Sequence, residues 1–111
     1  MIYQKRLIPG WQFGMLRRSA RRLFYDFDDP MIYARKGAVV RLSNTRVSRF
    51  RRICSEADGV VTSNPNLVDM AHDHGAHRVE LIPTSVKLDR WKVREAPGDG
   101  RTLGWVGSTG N

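Results

Sequence analysis

Cys54 is the only cysteine in the 111 residues of this chain. That excludes an intramolecular disulfide and any cysteine zinc cluster. Its setting, Arg52-Ile53-Cys54-Ser55 within a helical-looking stretch, fits a buried and inert thiol better than a reactive one. Long apolar runs are also missing, and none approaches the ~18 residues that cross a bilayer. The opening Met1-Ile2-Tyr3-Gln4-Lys5-Arg6 has neither the apolar centre nor the small-residue cleavage site of a secretory signal. A cytoplasmic location is therefore expected. There is no internal repeat and no low-complexity tract. With 41% hydrophobic residues the chain is too apolar for typical disorder and sufficient for a modest core.

What the sequence has in excess is arginine. Nineteen basic residues, fifteen of them arginine, oppose eleven acidic ones and leave a net charge of +8. Such a balance favours anionic partners: nucleic acid, phosphorylated substrates or the acidic face of a membrane. It does not choose among them, and a genome rich in arginine codons gives the same excess with no partner at all.

Along the chain, short apolar runs alternate with helical periodicity. Met1–Ile8 reads as the end of a strand running into a turn at Pro9-Gly10. Trp11, Met15 and Leu16 then recur at helical spacing beside Arg17, Arg18, Arg21 and Arg22, a short amphipathic helix with a basic face. Leu23-Phe24-Tyr25-Asp26-Phe27-Asp28-Asp29-Pro30 reads as a buried strand with carboxylates at its C-terminal end. Residues 31–45 lack a clean period and predict a loop with a weak helix. Val47, Phe50, Ile53 and Cys54 mark the apolar face of the next helix, whose other face carries Arg46, Arg49, Arg51 and Arg52. Val60-Val61-Thr62-Ser63 is a β-branched strand after the Asp58-Gly59 turn. Ser63-Asn64-Pro65 opens another helix, which Gly75 stops. Val79–Ile82 is a further strand. A connector with Trp91 and the stretch Ala96-Pro97-Gly98-Asp99-Gly100 leads to a last strand, Thr102–Val106, and the turn Gly107-Ser108-Thr109-Gly110. This order predicts an α/β fold, a Rossmann-like parallel sheet with helices on both faces.

Four features could carry chemistry. Asp26, Asp28 and Asp29 sit where ligand crevices of open α/β sheets lie, and could orient a hydroxyl, act as a base or hold a metal. Helix capping and pairing with arginines are the plainer roles for them. Ser63-Asn64 stands at a strand-to-helix junction, where exposed backbone N–H groups favour anions and where simple capping serves equally. His72, His74 and His77 have a spacing that could supply metal ligands, but they follow the polar end of a helix, and no metal site is expected there. The glycine turn at residues 107–110 would let backbone amides approach a diphosphate closely.

Four segments in this order resemble the group-1 retaining glycosyltransferases, two-domain enzymes of the GT-B fold. Leu23–Pro30 is similar to a strand end of pattern hydrophobic-Y-D-x-D-D found in one bacterial branch. Ala57–Asn64 resembles the A-D-x-V-x-x-S-N strand of the first domain's core. Val79–Val86, with Leu81-Ile82-Pro83-Thr84-Ser85-Val86, resembles the crossing between domains. Gly104-Trp105-Val106-Gly107-Ser108 resembles the first strand and glycine loop of the donor domain.

The resemblance implies that residues 1–83 are the C-terminal part of an acceptor-side Rossmann-like domain. Residues 84–100 would be an interdomain linker, and 101–111 the opening of a donor-binding domain. It places the donor diphosphate at Gly107 and Ser108, an acceptor-side cleft at Asn64, and the catalytic edge at Asp28 and Asp29. Relatives often carry a histidine near that edge, where this chain has aspartates. The expected partners are a nucleotide-sugar donor and a hydroxyl acceptor, with no cofactor or metal and with membrane-peripheral or anionic acceptor contact. The family's donor-gripping basic pair and glutamate motif would lie beyond Asn111, and its first strands before Met1. The 111-residue piece is therefore expected to lack transferase activity alone.

Two other readings stand beside it. One is a non-catalytic remnant. The other is a small basic nucleic-acid-binding domain using Arg17, Arg18, Arg21, Arg22, Arg49, Arg51 and Arg52 on phosphates. No helix-turn-helix, zinc-finger or RNA-binding aromatic motif accompanies those arginines, so nucleic acid is the disfavoured partner.

Overall fold

The computed structural model describes residues 1–36, 39–85, 87, 89, 100 and 101. Among these residues six strands and three helices follow in the order β1 (Ile2–Gln4), α1 (Gly10–Ser19), β2 (Phe24–Phe27), β3 (Tyr33–Lys36), β4 (Val39–Leu42), α2 (Asn44–Glu56), β5 (Gly59–Thr62), α3 (Pro65–Asp73) and β6 (Val79–Leu81). Four of the strands form one parallel sheet, β1-β2-β5-β6, in which Tyr25 pairs with Tyr3 on one side and Val60 on the other. The predicted α/β architecture with a parallel sheet is therefore present.

The helices begin and end where side chains satisfy free backbone groups. The Ser43 hydroxyl accepts from Arg46 N–H at 3.4 Å to start α2, and Asn64 Oδ1 accepts from Leu67 N–H at 3.1 Å to start α3. Pro65 occupies the first turn of α3, where its missing N–H costs nothing. Gly75 ends that helix with φ of 90°, so that its N–H donates to His72 O and the Ala76 N–H to Ala71 O. A side chain at Gly75 would be strained by that φ and would also press on Ser55.

Each parallel step moves the same way across the sheet, and right-handed crossovers then put every helix on one side. α2 accordingly contacts both α1 and α3. The expectation of helices on both faces is thus met on one face only among the described residues. That face carries the core: Tyr25, Phe27, Val60 and Thr62 from the strands meet Phe13, Phe50, Ile53 and Leu67 from the helices. Phe50 is the hub. Its ring lies 5.1 Å from Phe27, 6.1 Å from Tyr25 and 5.2 Å from His74, in edge-to-face arrangements. On the opposite face Ile2, Gln4, Phe24, Asp26, Val61 and Ile82 line a shallow depression.

Asp58 pins the strand starts together. Its carboxylate accepts from Leu23 N–H at 2.7 Å, its N–H donates to Leu23 O at 2.8 Å, and the Arg17 guanidinium reaches it at 3.4 Å. Arg17 also donates to Glu56 O and Ala20 O, which ties α1 to the end of α2.

Residues 31–45 depart from the expected loop with a weak helix. They form an antiparallel pair, β3 with β4, whose base is closed by Ser43 N–H donating to Ile32 O at 3.1 Å. All four β4 residues are exposed. Alternating hydrophobicity is the mark of a strand with one buried face, and β4 has none to impose it. Among the described residues, no helix is long and apolar enough to cross a membrane.

Candidate functional site

The C-terminal edge of the parallel sheet gathers the loops after β1, β2, β5 and β6, the position at which α/β sheets bind ligands. The loop after β1 opens with Lys5, the single non-glycine residue with positive φ among the described residues, at 51°. Its N–H donates to Asp26 O at 3.0 Å, which extends the β1–β2 pairing by one residue. A left-handed lysine costs about 1–2 kcal/mol. The turn holds it so that Nζ reaches Asp28 Oδ2 at 2.6 Å, with both side chains about half exposed. The hydrogen bond to Asp28 raises the Lys5 pKa, and the fields of Asp29 and Asp26 act the same way.

The three aspartates do not act as one cluster. Asp26 follows strand alternation onto the helix-free face, where Gln4 Nε2 donates to its Oδ2 at 2.6 Å. Asp28 pairs with Lys5, not with an arginine as the sequence suggested. Asp29 is exposed beside that pair and touches it through its field alone. Asn64 stands on the same sheet edge, at the end of β5, and its carbonyl oxygen is committed to capping α3. Gly107 and Ser108 lie outside the described residues, as do most of the linker and the strand before the glycine turn.

Lys5 is the member of this edge that sequence reasoning missed. Nothing in Gln4-Lys5-Arg6 signals a left-handed backbone, and the pairing with Asp28 spans 23 residues of sequence. The exposed pair offers an ammonium donor and carboxylate acceptors side by side. That set can hold a hydroxyl group in a fixed orientation.

The arginines resolve into two classes. Arg46 donates to Met31 O at 2.7 Å, Arg49 to Leu7 O at 3.2 Å, and Arg52 to Glu56 at 2.8 Å. The Arg52 guanidinium also lies over the first turn of α1, so close that a Cβ at Gly10 would meet it at 2.6 Å. Arg46 and Arg49 thereby tie α2 to the segments before β3 and α1, whereas the Arg52–Glu56 pair lies within α2. Arg18, Arg21, Arg22 and Arg51 are exposed and take no such part among the described residues.

His72 and His74 turn Nδ1 to the carbonyls of Ala76 and Met70, at 3.0 and 2.8 Å, so each ring carries its proton there. Among the described residues no group of three or more His, Cys, Asp or Glu is placed to hold a metal ion. Cys54 is fully buried, and burial pushes its thiol up to about 12. Tyr25 is equally buried, its hydroxyl has no hydrogen-bond partner, and desolvation raises its pKa strongly. Thr62 shares that condition at the end of β5.

No family model matches the chain, and no curated protein or solved structure matches it either.

Proposed function

We propose that the chain is the acceptor-side portion of a retaining, GT-B-type glycosyltransferase, with the edge formed by Lys5, Asp28 and Asn64 facing the acceptor hydroxyl. The observation that carries this reading is the Lys5–Asp28 pair at the C-terminal edge of a parallel sheet, on a strained residue. Strain of this kind persists where surrounding structure over-determines it, and it clusters at ligand-binding positions. The order of the four sequence segments supports the same reading. In it, Asp28 accepts from the acceptor hydroxyl and Lys5 keeps the carboxylate oriented, while Asp29 adds negative field. On this reading the sugar nucleotide's diphosphate falls to Gly107 and Ser108.

The nucleic-acid reading loses ground on one observation. Arg17 and Arg49, two of the seven arginines it requires on phosphates, are engaged in bonds that tie α1 and the loop before it to α2.

Amide chemical-shift mapping on the isotope-labelled 111-residue chain separates the two. A panel of soluble oligosaccharides is expected to move the resonances of Lys5, Asp28, Asn64 and their neighbours, and Asp28→Asn to weaken that response. Shifts produced only by a DNA duplex, or an oligosaccharide response unchanged by Asp28→Asn, would overturn the assignment.

A further inference from the structure

The β3–β4 hairpin ends in an open strand. β3 contacts α2 as well as pairing with β4, but the small sheet stops at β4, whose outer edge takes no strand among the described residues. Tyr33 pairs with Leu42, and Ser43 N–H donates to Ile32 O one residue further on. The alternation of an antiparallel ladder then turns the N–H and C=O groups of Val40 and Leu42 away from β3. No backbone hydrogen bond satisfies them among the described residues. The side chains are as open as the backbone, with Val39, Val40 and Leu42 exposed by 49%, 61% and 58%. A groove of about 430 Å³ adjoins the strand, lined by Ala34, Val39, Arg41, Leu42 and Ser43. An exposed apolar edge of this kind is a template for a further strand.

The electrostatics around the edge are one-sided. Residues 30–55 hold seven basic residues and not one aspartate or glutamate. Arg41 is exposed, and no hydrogen bond or ion pair holds its side chain among the described residues. β4 runs into the N-terminus of α2, whose first turn has no acidic residue and whose partial positive charge adds to the same field. Strand alternation sets Val40 and Leu42 on one face of β4 and Val39 and Arg41 on the other. We infer that the outer edge of β4 takes up an extended protein segment of alternating apolar and acidic residues, which adds to the hairpin as a third strand. Its apolar side chains lie along Val40 and Leu42, and its carboxylates meet Arg41. A second copy of this chain fits less well, because it brings the same acid-free hairpin and sets like charges across the new pairing. A nucleic-acid strand has the anions but no peptide groups to continue the ladder. The inference uses none of Lys5, Asp28 or Asn64, so it holds whether or not that edge binds an acceptor.

Fluorescence anisotropy tests it, with the 111-residue chain and a labelled peptide of alternating valine and glutamate. That peptide is expected to bind, and to bind more weakly as salt rises, whereas its valine–lysine counterpart should not bind. Val40→Pro leaves the net charge and the pairing with β3 intact, but removes an outward N–H and sets a ring in the path of the incoming strand. It is expected to weaken binding at least ~10-fold, with an unchanged far-ultraviolet circular dichroism spectrum. Arg41→Glu is expected to weaken the glutamate peptide about 10-fold and to let the lysine peptide bind in its place. Should Val40→Pro disturb the spectrum, this exchange of preference decides alone. Equal affinity for both peptides, or no binding of the glutamate peptide, would overturn the inference. So would binding undiminished by Val40→Pro in the folded protein, the mark of general attraction to a basic surface. Self-association lost with Val40→Pro would give the edge to a second copy. Tighter binding of a single-stranded oligonucleotide, lost with Arg41→Glu, would give it to nucleic acid, and either result overturns the assignment. Neither variant alters Lys5, Asp28 or Asn64, so the outcome leaves the acceptor-edge reading to its own test.

Discussion

Phe50 gives the most direct test of how α2 is held on the sheet. Its ring is fully buried and faces Phe27, Tyr25 and His74 at 5.1, 6.1 and 5.2 Å. Phe50→Ala removes the ring, leaves a cavity between β2, α2 and α3, and forfeits three aromatic contacts. Deletions of this type cost about 3–5 kcal/mol. The total stability of a small domain is about 5–15 kcal/mol, and this one has helices over a single sheet face. A loss of about 4 kcal/mol would therefore bring it close to unfolding. At a urea dependence of about 2 kcal/mol/M, the midpoint should fall by about 2 M. Phe50→Leu keeps most of the volume and should cost less than about 1.5 kcal/mol. Urea titration followed by circular dichroism reads both. A loss below about 1.5 kcal/mol for Phe50→Ala, or equal losses for alanine and leucine, would refute the placement of Phe50 at the centre of the core.

Tyr25→Phe removes a buried hydroxyl without a partner and should leave stability equal or higher by about 1 kcal/mol at neutral pH. The same phenol sets an alkaline limit. Its folded pKa lies above the ordinary 10.0, so its contribution is fully present below pH 10 and falls as the unfolded chain ionises above it. Stability measured from pH 9 to 11 should decline less steeply in Tyr25→Phe than in the parent, and identical profiles would refute the burial of the phenol. Lys5→Gly and Lys5→Ala both delete the ion pair and differ in the cost of φ at 51°. The glycine variant should be the more stable by about 1 kcal/mol in thermal or urea unfolding, and a more stable alanine variant would rule out the left-handed turn. Cys54, with its thiol near 12, should have about one ten-thousandth of its population as thiolate at pH 8. It should resist a disulfide reagent in the native protein and react after urea, whereas rapid native labelling would contradict its burial.

Much of the fold was legible because its signals are local. The β-branched run Val60-Val61-Thr62, the cap at Asn64 before Pro65, the apolar face of α2 and the stop at Gly75 depend on residues within one or two turns of each other. Backbone propensity and hydrogen-bond satisfaction decide such features before any tertiary contact forms. The position of Asp28 at a strand end was legible for the same reason. The capping of α3 by Asn64 was one of two readings its position allowed.

Tertiary structure decided what depends on distant pairings. The β3–β4 hairpin was invisible because alternation appears only where a core buries one side of a strand, and here all of β4 is exposed. The single-sided helical layer follows from the strand order β1-β2-β5-β6, which no local pattern encodes. The roles of the arginines divided only once the carbonyls of Leu7, Met31 and Glu56 came within reach. Lys5 shows the limit most clearly. Its charge is written in the sequence, but its partner lies 23 residues away and its backbone is held by strand pairing. The sequence alone therefore determined the segments whose signals are local, such as β2, α2, β5 and α3, and the place of Asp28 at a strand end. Only the packing of the sheet determined which residues meet, because long-range contacts are settled by burial and register rather than by neighbours in the chain.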